Sequence, residues 1–104
     1  MTATELKQRM DLGQPITLVD VRELHEREIA DLPEYGQLRI PVGDFVDQAE
    51  SLSPDEPVVL YCRSGSRSAW ATRRLLDQGH EKVWNLKGGI LAWREEVDPS
   101  LQAY

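Results

Sequence analysis

Apolar positions along the chain form four short runs, and these alternate with segments of helical pattern. The runs occupy residues 16–21, 38–40, 58–61 and 82–86, which predicts four strands. The third run, Val58-Val59-Leu60-Tyr61, is apolar at every position, which is typical of a strand covered on both faces of a parallel sheet. Helical patterns fall at residues 2–10, 23–30, 45–49, 69–78 and 90–96. The alternation predicts an α/β fold with right-handed crossovers.

Length and charge narrow the classes of protein to which the chain can belong. The 104 residues predict one domain, spanning residues 1–104. A net charge of −6 argues against nucleic-acid binding through bulk positive charge, so we expect no nucleic-acid partner. The first residues contain no apolar run, so we expect no signal peptide and no membrane anchor, and a cytoplasmic location.

A single cysteine limits the chemistry further. Cys62 cannot form an internal disulfide, a four-cysteine zinc site or an iron–sulfur cluster, and we expect no metal site. The thiol is then either a buried spectator in the core or a reactive group.

The seven residues from Cys62 to Ser68, here called the Cys62 loop, lie between the third strand and a predicted helix. Their sequence is Cys62-Arg63-Ser64-Gly65-Ser66-Arg67-Ser68. N–H groups at a helix N-terminus have no partner within the helix and favour negative charge. A tight turn at Gly65 would direct such groups at the sulfur, the serine hydroxyls add donors, and Ser68 is the expected N-cap.

Arg63 and Arg67 add positive charge to this loop and offer planar forks for the oxygens of an oxyanion. We expect this environment to hold Cys62 as a thiolate at neutral pH, although free cysteine titrates near pH ~8.5. We therefore assign Cys62 as the catalytic residue, with Arg63, Ser64, Gly65, Ser66, Arg67 and Ser68 as substrate-binding residues. This assignment requires a thiol that is open to solvent, beside a cavity for one further atom. A spectator thiol needs none of these neighbours.

Three motifs resemble those of the rhodanese domain, a sulfurtransferase fold. The Cys62 loop matches the family pattern Cys-Arg-x-Gly-x-Arg-Ser at every fixed position, Asp20-Val21-Arg22 resembles its Asp-Val-Arg motif, and residues 88–93 resemble its Gly-Gly-x-x-Ala-Trp motif. They stand in the family's order and spacing. The departure is the segment before Ile40-Pro41, where many members have Gly-His-Ile-x-Gly-Ala, and this affects pocket shape and choice of partner.

The resemblance implies a rhodanese-like parallel sheet of about five strands flanked by helices. It also implies that Cys62 accepts a sulfane sulfur from a small donor such as thiosulfate, as a persulfide, and passes it to a thiol, cyanide or a carrier protein, with no cofactor. Asp20 and Arg22 match positions that are usually structural. The tail, residues 97–104, is similar to those of rhodanese domains fused to adenylating enzymes, which implies a ubiquitin-like sulfur carrier or another external thiol protein as partner.

Three other functions are compatible with the same fold. Related phosphatases place five residues between cysteine and arginine, whereas only four residues separate Cys62 from Arg67. The shorter loop forms a smaller ring of N–H groups, which suits a sulfur atom better than a phosphate group. An arsenate reductase would need a second cysteine, which the chain lacks. A rhodanese-like interaction module without turnover is the other alternative, although such members commonly lack the cysteine. We expect His25 and His80 on the surface, not paired with the thiol.

Overall fold

Four parallel strands form the centre of the structure, a computed structural model that describes every residue from Met1 to Tyr104. They are β1 (Thr17–Asp20), β2 (Leu38–Arg39), β3 (Val58–Tyr61) and β4 (Val83–Asn85), arranged in the order β2-β1-β3-β4. Each neighbouring pair is parallel. The predicted α/β class and parallel sheet are confirmed.

The count of about five strands that the resemblance implied is wrong by one, because the sheet has four. Each of the four apolar runs supplies one strand, and no further strand is present. The β2 edge is only two residues long. Pro41 follows shortly after it and cannot donate to a strand ladder, which keeps this edge short.

Helices cover both faces of the sheet. They are α1 (Ala3–Asp11), α2 (Phe45–Gln48), α3 (Ser66–Asp77) and α4 (Gly89–Glu96). The segment expected as a helix over residues 23–30 forms a 3₁₀ helix, Leu24–Glu28. No helix is both long and apolar enough to span a bilayer.

Alternation along β3 divides the core into two layers, because successive side chains of a strand point to opposite faces. Val58 and Leu60 pack with Phe45 of α2 and Leu75 of α3, and Cys62, directly after the strand, belongs to this layer. On the other face, β3 packs with Leu6 of α1, with Leu86 directly after β4, and with Ile90 and Trp93 of α4. All four residues of β3 are buried, as the uninterrupted apolar run predicted.

Four charged side chains form a closed ring at the carboxyl ends of β1 and β2. Arg22 bonds Asp20 (2.9 Å) and Asp31 (3.0 Å), and Arg39 bonds the same two carboxylates (both 2.7 Å). Arg22 is 1% exposed and Asp20 3%. A buried ion pair is sensitive to loss of one partner, because the other charge is then left without compensation in a medium of low dielectric. The ring fixes the sheet edge beside the Cys62 loop.

The Arg22→Ala variant should lower the free energy of unfolding by about 3 kcal/mol or more, because it leaves buried carboxylates with less compensation. Urea unfolding followed by circular dichroism measures this loss. Arg73→Ala is the matched control, because Arg73 forms an exposed pair with Asp77 one helical turn away and should cost at most about 0.5 kcal/mol. Equal losses in the two variants would contradict a structural role for the ring.

Candidate active site

Cys62 lies at the end of β3, where α3 begins, and hydrogen-bond donors converge on its sulfur. The N–H group of Gly65 is 3.1 Å from Sγ, and the Ser68 hydroxyl is 3.4 Å away. The helix starts at Ser66, three residues before the predicted start, so Ser68 lies in its first turn. The N-cap is Gly65 and not Ser68, because Gly65 has the left-handed backbone (φ 102°) that turns the chain from strand into helix.

The first turn of α4 holds the loop in this orientation. The N–H groups of Ile90 and Leu91 donate to the carbonyl oxygens of Cys62 (3.0 Å) and Arg63 (3.1 Å). These contacts turn the loop's carbonyls toward α4. A Cβ atom at Gly89 would lie 2.4 Å from the Cys62 carbonyl oxygen, so only glycine permits this approach.

Asn85, the last residue of β4, connects the middle of the loop to its carboxyl end. Its Nδ2 donates to the Gly65 carbonyl oxygen (3.1 Å), and its Oδ1 accepts from the Ser68 hydroxyl (2.5 Å). The Ser68 hydroxyl has one proton and two acceptors, Asn85 Oδ1 and Cys62 Sγ. Asn85 therefore both positions this hydroxyl and competes with the sulfur for its proton.

The pKa of the Cys62 thiol is lowered. Burial opposes ionisation, but the Ser68 hydroxyl and the backbone N–H groups of Ser68, Gly65 and Ser64 outweigh it. Hydrogen bonds to the charged form, at a helix N-terminus, therefore favour the thiolate.

The two loop arginines are engaged elsewhere. Arg67 forms a two-pronged pair with Glu26 (2.7 and 3.0 Å), and neither guanidinium group hydrogen-bonds to the sulfur. Arg63 donates from Nε to the Tyr104 backbone oxygen and lies over the Tyr104 ring, 5.4 Å from its centroid. The pair with Arg67 lowers the pKa of Glu26 to about 2. The charge of Cys62 is only a minor cause of the raised pKa of Arg67, which indicates that the two groups interact weakly. The amide and hydroxyl donors therefore stabilise the thiolate more than the arginines do.

The expectation of an open thiol is wrong for this structure. Cys62 is 0% exposed, and no pocket opens beside it. Burial alone would suit a spectator thiol, but a spectator needs no donors aimed at its sulfur, and a buried donor left facing an inert thiol is unfavourable. The observed donors distinguish Cys62 from an inert core thiol, and any reaction at its sulfur requires that the sulfur first be uncovered.

The remaining loop residues are distributed around this centre. Cys62, Gly65 and Ser68 are brought together, Ser64 contributes through its backbone, and Ser66 faces solvent. His25 is exposed as expected, whereas the prediction for His80 is wrong, because it is 5% exposed. The left-handed Gly79 turns the chain back at the end of α3, and the His80 N–H bonds Leu75.

Sequence reasoning missed three side chains at the site: Glu26, Asn85 and Tyr104. Glu26 lies 41 positions from its partner Arg67, and Tyr104 lies 41 from Arg63, so no local pattern links them. Asn85 carried a usable signal, since it is a polar residue at the carboxyl end of a predicted strand, where ligand sites of parallel sheets lie.

Comparison with known proteins yields one family and several relatives. A family model described as "Rhodanese-like domain" matches residues 2–96. A "Sulfurtransferase" of Allochromatium vinosum is 38% identical over 88 residues, which cover 85% of this chain and 80% of that protein. A crystal structure of a "Rhodanese-like Domain Protein" from Staphylococcus aureus superposes with a TM-score of 0.81 at 29% identity, over 100% of this chain and 96% of that one.

Two further relatives are longer than this chain. YrkF of Bacillus subtilis, whose name proposes a sulfur-carrier function, is 36% identical over 92 residues, which cover 88% of this chain and 49% of that protein. An "Adenylyltransferase and sulfurtransferase" of Meyerozyma guilliermondii is 35% identical over 96 residues, 84% of this chain and 22% of that protein. The chain thus spans about half or less of each of these two.

Ser68→Ala should raise the pKa of Cys62, because the variant removes a hydroxyl group that hydrogen-bonds to the sulfur and favours the thiolate. The thiolate absorbance in the ultraviolet, followed against pH, measures this change. Ser66→Ala is the matched control, since Ser66 lies in the same helical turn but faces solvent. If both variants titrate like the parent, the hydroxyl does not stabilise the thiolate.

Glu26 should make the free energy of unfolding depend on pH in the acidic range. Its folded-state pKa of about 2 lies below its ordinary 4.5, so its contribution is complete above about pH 4.5 and is lost as pH falls toward 2. Glu26→Gln should flatten the unfolding free energy over this range, with a loss near neutral pH on the order of 3 kcal/mol. Urea unfolding at several pH values tests this, with the exposed Glu95→Gln as control. An unchanged slope in Glu26→Gln would contradict the assignment.

Proposed function

The chain belongs to the rhodanese-like domain family, and on that premise we propose that it is a sulfurtransferase that carries a sulfur atom on Cys62 as a persulfide. Names of relatives support a sulfurtransferase-type role. The observation that carries the proposal is the convergence of the Gly65 N–H group and the Ser68 hydroxyl on Cys62 Sγ, at the N-terminus of α3.

In the first half-reaction, the Cys62 thiolate attacks the outer, sulfane sulfur of a donor such as thiosulfate. A sulfur–sulfur bond forms to Cys62, and the sulfur–sulfur bond of thiosulfate breaks. Its electron pair leaves with sulfite. The enzyme then holds a persulfide anion, and charge is conserved, since three negative charges stand on each side. The lowered pKa of Cys62 favours the thiolate, which is the nucleophilic form.

The Cys62 loop suits the persulfide as well as the thiolate. Transfer moves one negative charge outward by a single sulfur atom, and once the site has opened to admit that atom, the N–H groups of the loop remain donors for the anion. Arg63 is exposed and supplies a planar fork for the sulfonate oxygens of the donor once it is released from Tyr104.

In the second half-reaction, an acceptor nucleophile attacks the outer sulfur and regenerates the Cys62 thiolate. Cyanide or a thiol serves as a small acceptor. The likeness to a relative named for sulfur-carrier function and to one named as adenylyltransferase and sulfurtransferase supports a sulfur-carrier protein as a macromolecular acceptor. Because the chain has no second cysteine, a reducing thiol comes from another molecule. The double displacement gives ping-pong kinetics.

Incubation with thiosulfate should add the mass of one sulfur atom to the protein, and cyanide should remove it. Cys62→Ser should show no gain, because its hydroxyl is not ionised at neutral pH and forms no persulfide. Intact-mass spectrometry of parent and variant measures both steps.

Arg73→Ala serves as the control, since Arg73 forms only an exposed pair with Asp77, and it should gain and lose sulfur like the parent. A mass gain in Cys62→Ser would overturn the mechanism. Hydrolysis of an aryl phosphate by the parent without any sulfur gain would instead support a phosphatase, and binding of a carrier without sulfur gain would support an interaction module.

A further inference from the structure

A closed chain of hydrogen bonds includes the Cys62 sulfur, and it starts and ends on Gly65. The Gly65 N–H group faces Cys62 Sγ (3.1 Å), and Sγ lies 3.4 Å from the Ser68 hydroxyl oxygen. The Ser68 hydroxyl oxygen is 2.5 Å from Asn85 Oδ1, and Asn85 Nδ2 is 3.1 Å from the Gly65 carbonyl oxygen. Asn85 is thus linked to the sulfur through a single hydroxyl group.

The Gly65 carbonyl group fixes the direction of this chain. A carbonyl oxygen only accepts, so the Asn85 amide presents Nδ2 to Gly65 and Oδ1 to Ser68. Oδ1 also only accepts, so the Ser68 hydroxyl gives its one proton to Asn85 when it bonds there. The hydroxyl oxygen then has lone pairs with which it can accept the S–H group of a neutral Cys62. A neutral thiol therefore completes a chain in which every donor has an acceptor.

Ionisation of Cys62 reverses one link of the chain. A thiolate has no proton to donate, so the Ser68 hydroxyl stabilises it only by turning its own proton from Asn85 Oδ1 to Sγ. Asn85 Oδ1 loses its donor in the same movement. Asn85 therefore favours the neutral thiol, whereas the Ser68 hydroxyl, once turned, favours the thiolate.

We propose that Asn85 is a positioning residue for the nucleophile: its amide holds the Ser68 hydroxyl as a switch that accepts from the thiol and turns to donate to the thiolate. This inference rests on the proposed sulfurtransferase function for its role in the reaction, but the switch itself concerns ionisation of the sulfur. In the persulfide the negative charge lies on the outer sulfur, so the hydroxyl proton returns to Asn85. It turns back to Sγ when an acceptor attacks the outer sulfur, the sulfur–sulfur bond breaks and its electron pair leaves on Sγ.

The other groups around the sulfur are separate from this switch. Arg67 interacts electrostatically with Cys62 and is paired with Glu26 at 2.7 and 3.0 Å. The first turn of α4 contributes backbone N–H groups to the loop, and the core layer that contains Cys62 contributes apolar side chains. Replacement of Asn85 by alanine changes none of these groups.

The first measurement is the pKa of Cys62, from the thiolate absorbance in the ultraviolet followed against pH. Asn85→Ala should lower this pKa, because the Ser68 proton is then free for the thiolate. Asn85→Asp should raise it, because a carboxylate holds that proton more strongly and repels the thiolate. Both variants lose the bond to the Gly65 carbonyl, so loosening of the loop would shift both pKa values in the same direction. Gln8→Ala, which removes an exposed amide from α1, is the control and should titrate like the parent.

A second set of variants tests whether Asn85 acts through the hydroxyl. In a Ser68→Ala background, Asn85→Ala should leave the pKa of Cys62 unchanged, and Asn85→Asp should raise it by less than in the parent, since the switch is absent. An upward or absent shift in Asn85→Ala, or a downward shift that persists without the hydroxyl, would overturn the proposal. Asn85→Asp gives the second reading if alanine at this position prevents folding: an equal increase with and without the hydroxyl would also overturn it.

The second measurement is the rate of each half-reaction, at a pH above the thiol pKa of every variant. A thiolate of lower pKa is a weaker nucleophile and a better leaving group. In Asn85→Ala, sulfur uptake from thiosulfate should slow and sulfur release to cyanide should accelerate, each about threefold for every pH unit by which the measured pKa falls. An increase in both rates would indicate greater access to the sulfur and would overturn the proposal. If the titrations follow the prediction while neither the parent nor any variant gains sulfur, the switch stands and the proposed function fails.

Discussion

The structure depends on which end of each peptide group in the Cys62 loop faces the sulfur. A peptide carries a donor at one end and an acceptor at the other, and turning it over would replace attraction to a thiolate with repulsion. The carbonyl oxygens of Cys62 and Arg63 point to the first turn of α4, where Ile90 and Leu91 donate to them. The N–H group of Gly65 faces Sγ. The α4 N-terminus and the α3 N-terminus thus bind opposite sides of one loop.

The sequence suggests two sources of stabilisation for the thiolate, namely the N–H groups at the helix N-terminus and the positive charge of the arginines. The structure shows that these two sources contribute unequally. The thiolate is favoured by short-range donors, whereas Arg67 is neutralised by Glu26 at 2.7 and 3.0 Å. A guanidinium group paired with a carboxylate contributes little field at a distance, because the two charges cancel. The donors cannot be cancelled in this way, since they are already in contact with the sulfur. Loop geometry therefore sets the ionisation of Cys62, and the ion pairs set the shape of its surroundings.

Features that depend on neighbouring residues in the chain could be predicted from the sequence, whereas contacts between residues far apart in the chain could not. The four strands lie where the apolar runs predicted them. For β3, four consecutive apolar residues predicted a strand buried on both faces, and all four residues are buried. The start of α3 was misplaced, since Ser68 is a good N-cap by propensity but Gly65 provides the left-handed turn that fits the close packing of Gly88 and Gly89. Tyr104 and Arg22 lie 82 positions apart, and no periodicity encodes such a contact.

The balance of charge bears on how any substrate reaches the loop. The chain carries a net charge of −6, which repels a small dianion at long range, and salt screens that repulsion beyond roughly 8–10 Å. Around the loop, the four cations Arg22, Arg39, Arg63 and Arg67 face the three carboxylates of Asp20, Asp31 and Glu26, and an ionised Cys62 balances the fourth positive charge. The surroundings of the loop therefore carry no net positive field, and attraction of an anion depends on short-range contact with a donor group. The proposed donor is then recognised by direct contact, because the field of the whole molecule opposes its approach.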